Sequence, residues 1–254
     1  MPIPEHLRVD DRDSVRTITI DRPDAKNAMT VAMRTGLCAL LAEAEWDRSV
    51  RAVILTAVDP VFTAGVDFKE RRDPGWNAYD AQFTVNPGKA LRAMTTPVIC
   101  AVNGACVSGG LELALSSSFV VASEQARFAD THARLGVVAA WGLTALLPRA
   151  VGVRKAAEMS ITGNFVDATE ALRIGLVNHV VPHADLLAFA SRLAADVADT
   201  PAVGEVLALY RRGAGVSLAE ALALETDHTS RRRHDPEAFA ALGQQTAARA
   251  HRDG

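Results

Sequence analysis

Short stretches rich in apolar and β-branched residues alternate with helical patterns along most of the chain, and this alternation constrains the fold more than any other feature. Each stretch is bounded by turn-forming residues such as Asp, Pro, Asn and Gly. Between the stretches, apolar residues recur at helical spacing, first in a segment that Thr30 can cap. The pattern is typical of an α/β domain. The predicted strands are Val15–Ile20, Ala52–Thr56, Pro97–Val102, Phe119–Ala122 and Leu176–Val181.

The C-terminal part of the sequence has a different character. After Pro182 no stretch carries a convincing strand pattern. Ser217 and Glu220 have the spacing of a capping box, and Asp235-Pro236 reads as an N-cap followed by a first-turn proline. We therefore predict a core over residues 1–190 and a helical region over 191–254.

Composition narrows the class of protein. The 254 residues are 49% hydrophobic, which is typical of a globular chain. The formal net charge of −3 does not indicate the positively charged surface that binds nucleic acid. The first residues lack the apolar stretch of a signal peptide, and no segment approaches the ~20 apolar residues of a membrane span. We expect a soluble, cytoplasmic protein with no membrane partner. Free core thiols are expected at the three cysteines, Cys38, Cys100 and Cys106.

Two adjacent glycines, Gly109 and Gly110, stand directly before a Leu-Glu-Leu helical pattern. Glycine is costly in a regular element, so the pair needs a local reason. If a helix begins here, its first N–H groups are unpaired and carry the positive end of the helix dipole, which suits an oxyanion. Glu112 would lie one turn further on and could transfer protons. The alternative is structural: the glycines give a tight turn and Glu112 caps the helix start.

A second glycine precedes a helix start in the segment Ala64–Asp67, which reads Ala-Gly-Val-Asp after the predicted strand at Ala52–Thr56. One backbone amide from each of these two segments would form a two-donor cradle for an enolate or a tetrahedral oxyanion.

Four segments between about residues 10 and 185 together resemble the crotonase family, which comprises enoyl-CoA hydratases and isomerases. The resemblance implies a spiral of ββα units followed by a helical C-terminal region that forms a homotrimer or a hexamer. The segments are Asp21–Met29 (DRPDAKNAM), Phe62–Asp67 (FTAGVD), Pro97–Leu113 (PVICAVNGACVSGGLEL) and Phe165–Val180.

The resemblance also implies a site. It assigns the oxyanion hole to the backbone amides of Val66 and Gly109, and it lays an acyl-CoA along the loops at 25–27 and 64–67. Lys26, Lys69, Arg71 and Arg72 become candidate phosphate partners, although a solvated surface explains each of them equally well. The substrate-binding residues so implied are Ala25, Lys26, Asn27, Ala64, Gly65, Asp67, Gly110 and Trp141.

The sequence departs from the family pattern at one catalytic position. Hydratases of the family hold and activate a water with two glutamates, and Glu112 matches the first. In the segment Phe128–Gly136, His132 stands where the second glutamate would be, and Ala139–Gly142 replaces a Pro-Gly-x-Gly. A histidine can act as a general acid or base near neutral pH, so a Glu112/His132 pair is chemically possible. Alternatively, His132 only forms hydrogen bonds in the pocket wall.

The predicted function is that of an enzyme that adds water to an enoyl-CoA, or moves its double bond, in fatty acid or related acyl-CoA metabolism. We expect no cofactor beyond the coenzyme A of the substrate, and no metal. Two alternatives stay open: a non-catalytic acyl-CoA-binding homologue, or another crotonase reaction such as isomerisation, decarboxylation or thioester hydrolysis.

Other functions have weaker support in the sequence. A serine hydrolase would need Ser108 as nucleophile with Asp130 and His132 downstream, but Cys106 replaces the first glycine of G-x-S-x-G. A short-chain dehydrogenase would need Tyr-x-x-x-Lys, which neither tyrosine provides. A metal site at His179 and His183 is not expected, since Pro182 interrupts the helix that would align them. The charge run at 231–234 fits a solvated helix end.

Overall fold

The computed structural model describes residues 5–72, 85–233, 239–240 and 242–243. It contains two compact units, Met1–Leu207 and Ala208–Gly254. The predicted functional boundary near residue 190 stays a prediction. Strands β1 to β10 span Leu7–Arg12, Val15–Ile20, Ala52–Ala57, Val61–Thr63, Val98–Val102, Ala105–Val107, Phe119–Ser123, Arg127–Ala129, Val166–Asp167 and His179–Val181.

The described helices are labelled α1 to α9. They span Val31–Trp46, Pro87–Ala93, Gly109–Ser116, Leu143–Val151, Val153–Thr162, Ala168–Arg173, Leu186–Ala195, Ala202–Gly213 and Leu218–Arg231.

The strands of the first unit form two sheets. The larger has the order β1-β2-β3-β5-β7-β10 and the smaller the order β4-β6-β8-β9. Apart from the β1–β2 and β8–β9 pairs, neighbouring strands are parallel. Three successive strand pairs, β3–β4, β5–β6 and β7–β8, place their first strand in the large sheet and their second in the small one. With α3 after β6 and α4 after β8, this is the predicted winding of ββα units, and the α/β class is confirmed.

The large sheet is covered on both faces, as parallel sheets require. All six residues of β3 are buried. Because side chains alternate along a strand, Val53 and Leu55 join the main core cluster while Ile54 joins a second cluster on the opposite face. Helix α7 supplies that second cluster with Leu186 and Ala190.

Several local predictions are confirmed. The Thr30 side chain accepts a bond from Met33 N at the start of α1. Helix α3 begins at Gly109. Cys100 and Cys106 are buried free thiols, and burial raises the pKa of each; Cys38 is only half-buried.

The predicted strand at 176–181 was too long. Only His179–Val181 is a strand. Leu176 and Val177 are buried in the preceding turn, where both backbone amides donate to the carbonyl of Ala171. These two residues are apolar because they are buried in the turn, and their apolar side chains made the strand pattern look longer than the strand is.

The second unit is described up to residue 233 and at four positions beyond it. It begins within α8 and contains α9, whose Ser217–Glu220 capping box is confirmed. Asp235-Pro236 lies outside the described residues. Of the helices in the described ranges, none combines the length and apolar character that crossing a bilayer takes.

Candidate active site

The two glycines at the start of α3 are required by close packing. A Cβ atom on Gly110 would lie 2.8 Å from the carbonyl oxygen of Thr63. A Cβ atom on Gly109 would lie 3.1 Å from Cζ3 of Trp141 and 3.3 Å from Cα of Gly65. All three distances are tighter than ordinary van der Waals contact, so larger residues would push these segments apart.

The segment 64–67 is held in place by backbone bonds on one of its sides. Met29 N donates to the carbonyl of Gly65 at 2.8 Å, and Asp67 N donates to the carbonyl of Met29 at 3.0 Å. Gly65 itself has φ +92°, a conformation that glycine adopts at little cost. In this arrangement the Val66 amide faces away from the Met29 backbone.

The two segments meet at their glycines. A Cβ atom on Gly65 would lie 3.0 Å from the backbone nitrogen of Gly109. Within the part of the chain that the structure describes, neither the Val66 amide nor the Gly109 amide has a hydrogen-bond acceptor. The structure therefore brings together the two segments whose amides the sequence assigned to an oxyanion hole.

Glu112 is buried on α3, and its carboxylate is bound by backbone rather than by its own helix. Its Oε1 accepts bonds from Trp141 N at 2.5 Å and from Leu143 N at 3.3 Å. The alternative in which Glu112 caps the start of α3 is thus wrong. Burial raises the pKa of Glu112, and His132 and the two amides oppose that rise.

His132 lies beside the free edge of this carboxylate. Its Nε2 is 3.8 Å from Oε2 of Glu112, and its Nδ1 is 2.6 Å from Oδ1 of Asp130. The side chain of His132 is 16% exposed, whereas those of its two acidic neighbours are 3% and 5% exposed. The residue in the position of the second glutamate is therefore part of the same cluster as the first.

The comparisons with known proteins agree on one family. A family model described as enoyl-CoA hydratase/isomerase matches residues 10–237. A probable enoyl-CoA hydratase of Mycobacterium bovis is 35% identical over 224 residues, covering 87% of each chain. The chain belongs to the enoyl-CoA hydratase/isomerase family.

Solved structures place the chain in the same family. The crystal structure of an enoyl-CoA hydratase from Mycobacterium tuberculosis H37Rv has a TM-score of 0.74 and 44% identity, covering 89% of this chain and 98% of that one. An enoyl-CoA hydratase from Bacillus anthracis has a TM-score of 0.87 and 30% identity, covering 96% and 97%. The crotonase fold of these enoyl-CoA hydratases is thus the fold of this chain.

Trp141 lies in the segment where this member departs from the family's Pro-Gly-x-Gly. It is buried, and its indole packs against Gly109 while its amide binds Glu112. Its carbonyl accepts a bond from Arg92 Nη1 at 2.5 Å, and the guanidinium of Arg34 lies 5.7 Å from its ring centroid. Trp141 was predicted to contact substrate; the structure places its indole against Gly109 and its amide on Glu112, and the substrate contact stays a prediction.

In the predicted coenzyme A loops, two side chains are committed to the protein itself. Asn27 is fully buried with φ +54°, and its Nδ2 donates to the carbonyls of Val58 and Val61. Its Oδ1 accepts from the amide of Arg22. Asn27 therefore fixes the shape of its loop, and any substrate contact must come from backbone.

Asp67 is likewise bound inside the protein. Its Oδ2 accepts a 2.6 Å bond from Nη1 of Arg22, and its Oδ1 accepts one from Lys69 N. Burial would raise the pKa of Asp67, but the bonds from Arg22 and Lys69 outweigh it and lower the pKa. This ion pair ties Arg22, which precedes the loop at 25–27, to the loop at 64–67.

The remaining residues of these loops contribute backbone bonding or exposed side chains. Ala64 N donates to the carbonyl of Lys26 at 3.1 Å, so the two loops also share a backbone bond. Ala25 is half-buried, and Lys26 and Lys69 are exposed, as a phosphate partner would have to be. The side chains of Arg71 and Arg72 lie outside the described part of the chain.

The weaker alternatives gain nothing from the geometry. The hydroxyl of Ser108 is 2.7 Å from that of Thr131, so its partner is not the histidine that a hydrolase needs. His183 bonds to Ser123 and Asp59. No group of three or more potential metal-binding side chains occurs among the residues the structure describes.

Sequence reasoning missed two contributors to the cluster. Asp130 was considered only for the hydrolase alternative. Its carboxylate is in fact hydrogen-bonded to both the imidazole and the backbone amide of His132. The signal was the Asp-x-His spacing. The Leu143 amide on Glu112 had no sequence signal, because any residue can supply a backbone N–H.

Proposed function

We propose that this family member catalyses the addition of water to the double bond of an enoyl-CoA thioester. The observation that carries the proposal is the Glu112–His132 pair, whose facing atoms are 3.8 Å apart next to the joined Gly65 and Gly109 segments. Such a pair can handle the two protons that hydration moves, and the glycine segments can bind the charge that develops.

The oxyanion hole is the first element of the proposed mechanism. The thioester carbonyl oxygen accepts bonds from the amides of Val66 and Gly109. As water adds to Cβ, electrons move from the double bond onto this oxygen and form an enolate. The position of Gly109 at the N-terminus of α3 favours that negative charge. Loss of one such donor costs about 10²–10³ in rate.

A water site between Glu112 and His132 is the second element. A separation of 3.8 Å is too long for a direct hydrogen bond, but one oxygen atom at about 2.8 Å can bind both Oε2 and Nε2. Water held there gives its oxygen to Cβ and one proton to the pair. The pair returns one proton to Cα, so no net charge is transferred.

The coenzyme A arm is proposed to follow the backbone of the loops at 25–27 and 64–67. The mutual bonding of these loops supports this placement, since it leaves a preformed edge at Ala25, Lys26, Ala64 and Gly65. Lys26 and Lys69 are candidate phosphate partners. No further cofactor is needed, because coenzyme A arrives as part of the substrate.

The direct test is turnover of crotonyl-CoA, followed by loss of the enoyl-thioester absorbance, with mass spectrometry on a panel of enoyl-CoA thioesters. A product that gains the mass of one water supports hydration. An unchanged mass with a moved double bond indicates isomerisation, loss of carbon dioxide indicates decarboxylation, and free coenzyme A indicates thioester hydrolysis; each contradicts hydration. Tight acyl-CoA binding in calorimetry with no product from any chain length would favour the binding-protein alternative.

Assembly and location are proposed from the family resemblance. We infer a homotrimer or a hexamer, built by the helical C-terminal region, and a cytoplasmic location. Sedimentation velocity on the full chain tests the assembly: a monomer at micromolar concentration would contradict it.

A further inference from the structure

Asp130 binds His132 through two separate hydrogen bonds. The carboxylate oxygen Oδ1 accepts from Nδ1 at 2.6 Å and from the backbone amide of His132 at 3.1 Å. We propose that Asp130 is a positioning residue, which keeps the His132 proton on Nδ1 and turns Nε2 toward the water beside Glu112. The inference rests on the proposed hydratase function and assigns the direction of its proton transfers.

The backbone around Asp130 is tied to the helix that carries Glu112. Asp130 directly follows β8, and Ser108 N donates to the carbonyl of Ala129 at 2.9 Å. The Ser108 hydroxyl also accepts a bond from Thr131 N at 3.1 Å. Ser108 has φ +49°, a strained value for a serine, and strained residues persist where the surroundings hold them. These bonds fix the Asp130–His132 pair relative to Glu112.

The chemistry of the pair decides the tautomer. Burial would raise the pKa of Asp130, but hydrogen bonds from His132 and Ser160 outweigh it and lower the pKa, so the carboxylate is ionised and can only accept. A neutral imidazole facing it at 2.6 Å must therefore carry its proton on Nδ1. The lone pair of Nε2 is left for the water.

The charges around His132 favour one direction of transfer. Glu112 on α3 and Asp130 after β8 face the imidazole, and Arg92 on α2 acts electrostatically on Glu112. Burial raises the pKa of Glu112 and so favours its protonated form, while the Asp130 carboxylate faces the imidazole of His132 at 2.6 Å. We therefore assign Glu112 as the proton donor and His132 as the acceptor. In this arrangement His132 is a base that the Asp130 carboxylate orients.

The proposed hydration cycle conserves atoms and charge. Water forms its O–Cβ bond and gives one proton to Nε2 of His132, while the electrons of the double bond move onto the thioester oxygen. The enolate then collapses and Cα takes the proton from Glu112. A proton passes from the imidazolium back to the Glu112 carboxylate, which restores the starting state. Asp130 stays ionised throughout and stabilises the imidazolium.

The kinetic test uses Asp130→Asn in the full-length protein. The variant keeps the shape of Asp130 but loses the charge and allows the wrong tautomer, so we expect kcat to fall by about 10²–10⁴ with KM nearly unchanged. Equal kcat in wild type and variant would overturn the proposal.

A double-mutant cycle separates positioning from a merely structural role. In a His132→Ala background, Asp130→Asn should cause no further loss, because Asp130 acts through the imidazole. Additive losses would contradict the proposal. The matched control is Asp59→Asn, which removes another carboxylate bonded to a histidine, His183, at 3.1 Å outside the site. This control should leave kcat unchanged.

A measurement on the wild-type protein keeps the proposal testable if Asp130→Asn does not fold. Long-range ¹H–¹⁵N NMR of histidine-labelled protein, assigned by comparison with His132→Ala, should show neutral His132 protonated on Nδ1. Protonation on Nε2 would overturn the proposal. The NMR measurement needs no substrate. If the protein hydrates no enoyl-CoA, the proposed function is wrong, but the spectrum still shows which tautomer His132 adopts.

Discussion

The backbones of Gly65 and Gly109 lie against each other, so closely that a Cβ atom on Gly65 would come within 3.0 Å of the Gly109 nitrogen. Gly65 belongs to the turn after β4, and Gly109 is the first residue of α3. The packing of the two sheets thus brings together two amide-bearing segments that are distant in sequence. A side chain on either glycine would separate them.

Gly109→Ala should therefore impair catalysis more than stability. The new methyl group would meet the Trp141 ring at 3.1 Å and the Gly65 backbone at 3.3 Å, so the oxyanion donors would shift. We expect a loss in kcat of about 10²–10³ with crotonyl-CoA. Gly215→Ala is the control, because nothing lies within 4 Å of a Cβ there and its φ is not positive. Equal turnover by both variants would exclude Gly109 from the oxyanion hole.

Glu112→Gln should fold normally and lose turnover by about 10²–10⁴. The glutamine oxygen can still accept from the amides of Trp141 and Leu143, which now bind Oε1. An unchanged rate in the crotonyl-CoA assay would remove Glu112 from the mechanism.

The same variant predicts how stability depends on pH. Burial raises the pKa of Glu112 in the folded state, so the wild type loses stability as pH rises above the ordinary carboxyl range of about 4.3 and through the raised pKa. Glu112→Gln has no such loss. Urea unfolding should show the variant gaining stability relative to wild type from pH 5 to pH 8; a constant difference would contradict the raised pKa.

His132→Ala should lower kcat by about 10²–10⁴. The reason is that the Nε2 base at 3.8 Å from Glu112 is lost, while the Glu112 carboxylate keeps its two backbone bonds. His179→Ala, at a histidine that packs on Phe189, is the control and should leave kcat unchanged. A His132→Ala enzyme with wild-type kcat would mean that His132 serves only the pocket wall.

The sequence allowed the α/β class, the long strands and the helix caps to be predicted, because these depend on local periodicity and capping chemistry. It missed the small sheet, whose strands have only two or three residues and are too short to show alternation. It also missed β1, whose sequence LRVDDR is polar because it is an edge strand paired only with β2.

The candidate site could be predicted from motifs, but not the bonding inside it. The roles of Asn27 and Asp67 depend on partners up to 45 positions away in sequence, such as the Arg22–Asp67 pair. The packing of Trp141 on Gly109 likewise follows from tertiary structure alone. Residue types therefore indicated which positions matter, whereas the fold decides what each one contacts.

The Arg22–Asp67 ion pair gives a final prediction. Its 2.6 Å bond ties the proposed coenzyme A loop at 64–67 to Arg22, just before the loop at 25–27, and the Asp67 side chain is only 8% exposed. Asp67→Asn should destabilise the protein by about 1.5–3 kcal/mol at pH 7, the usual range for a hydrogen bond to a charged group. Because the folded pKa of Asp67 is lowered, the wild-type advantage is present above about pH 4 and shrinks as pH falls through the folded pKa. Urea unfolding at pH 7 and at pH 3 measures how much stability Asp67→Asn loses at each pH. In addition, KM for crotonyl-CoA should rise as the loops separate. The exposed Asp24→Asn is the control; a pH-independent difference for Asp67→Asn would contradict the ion pair.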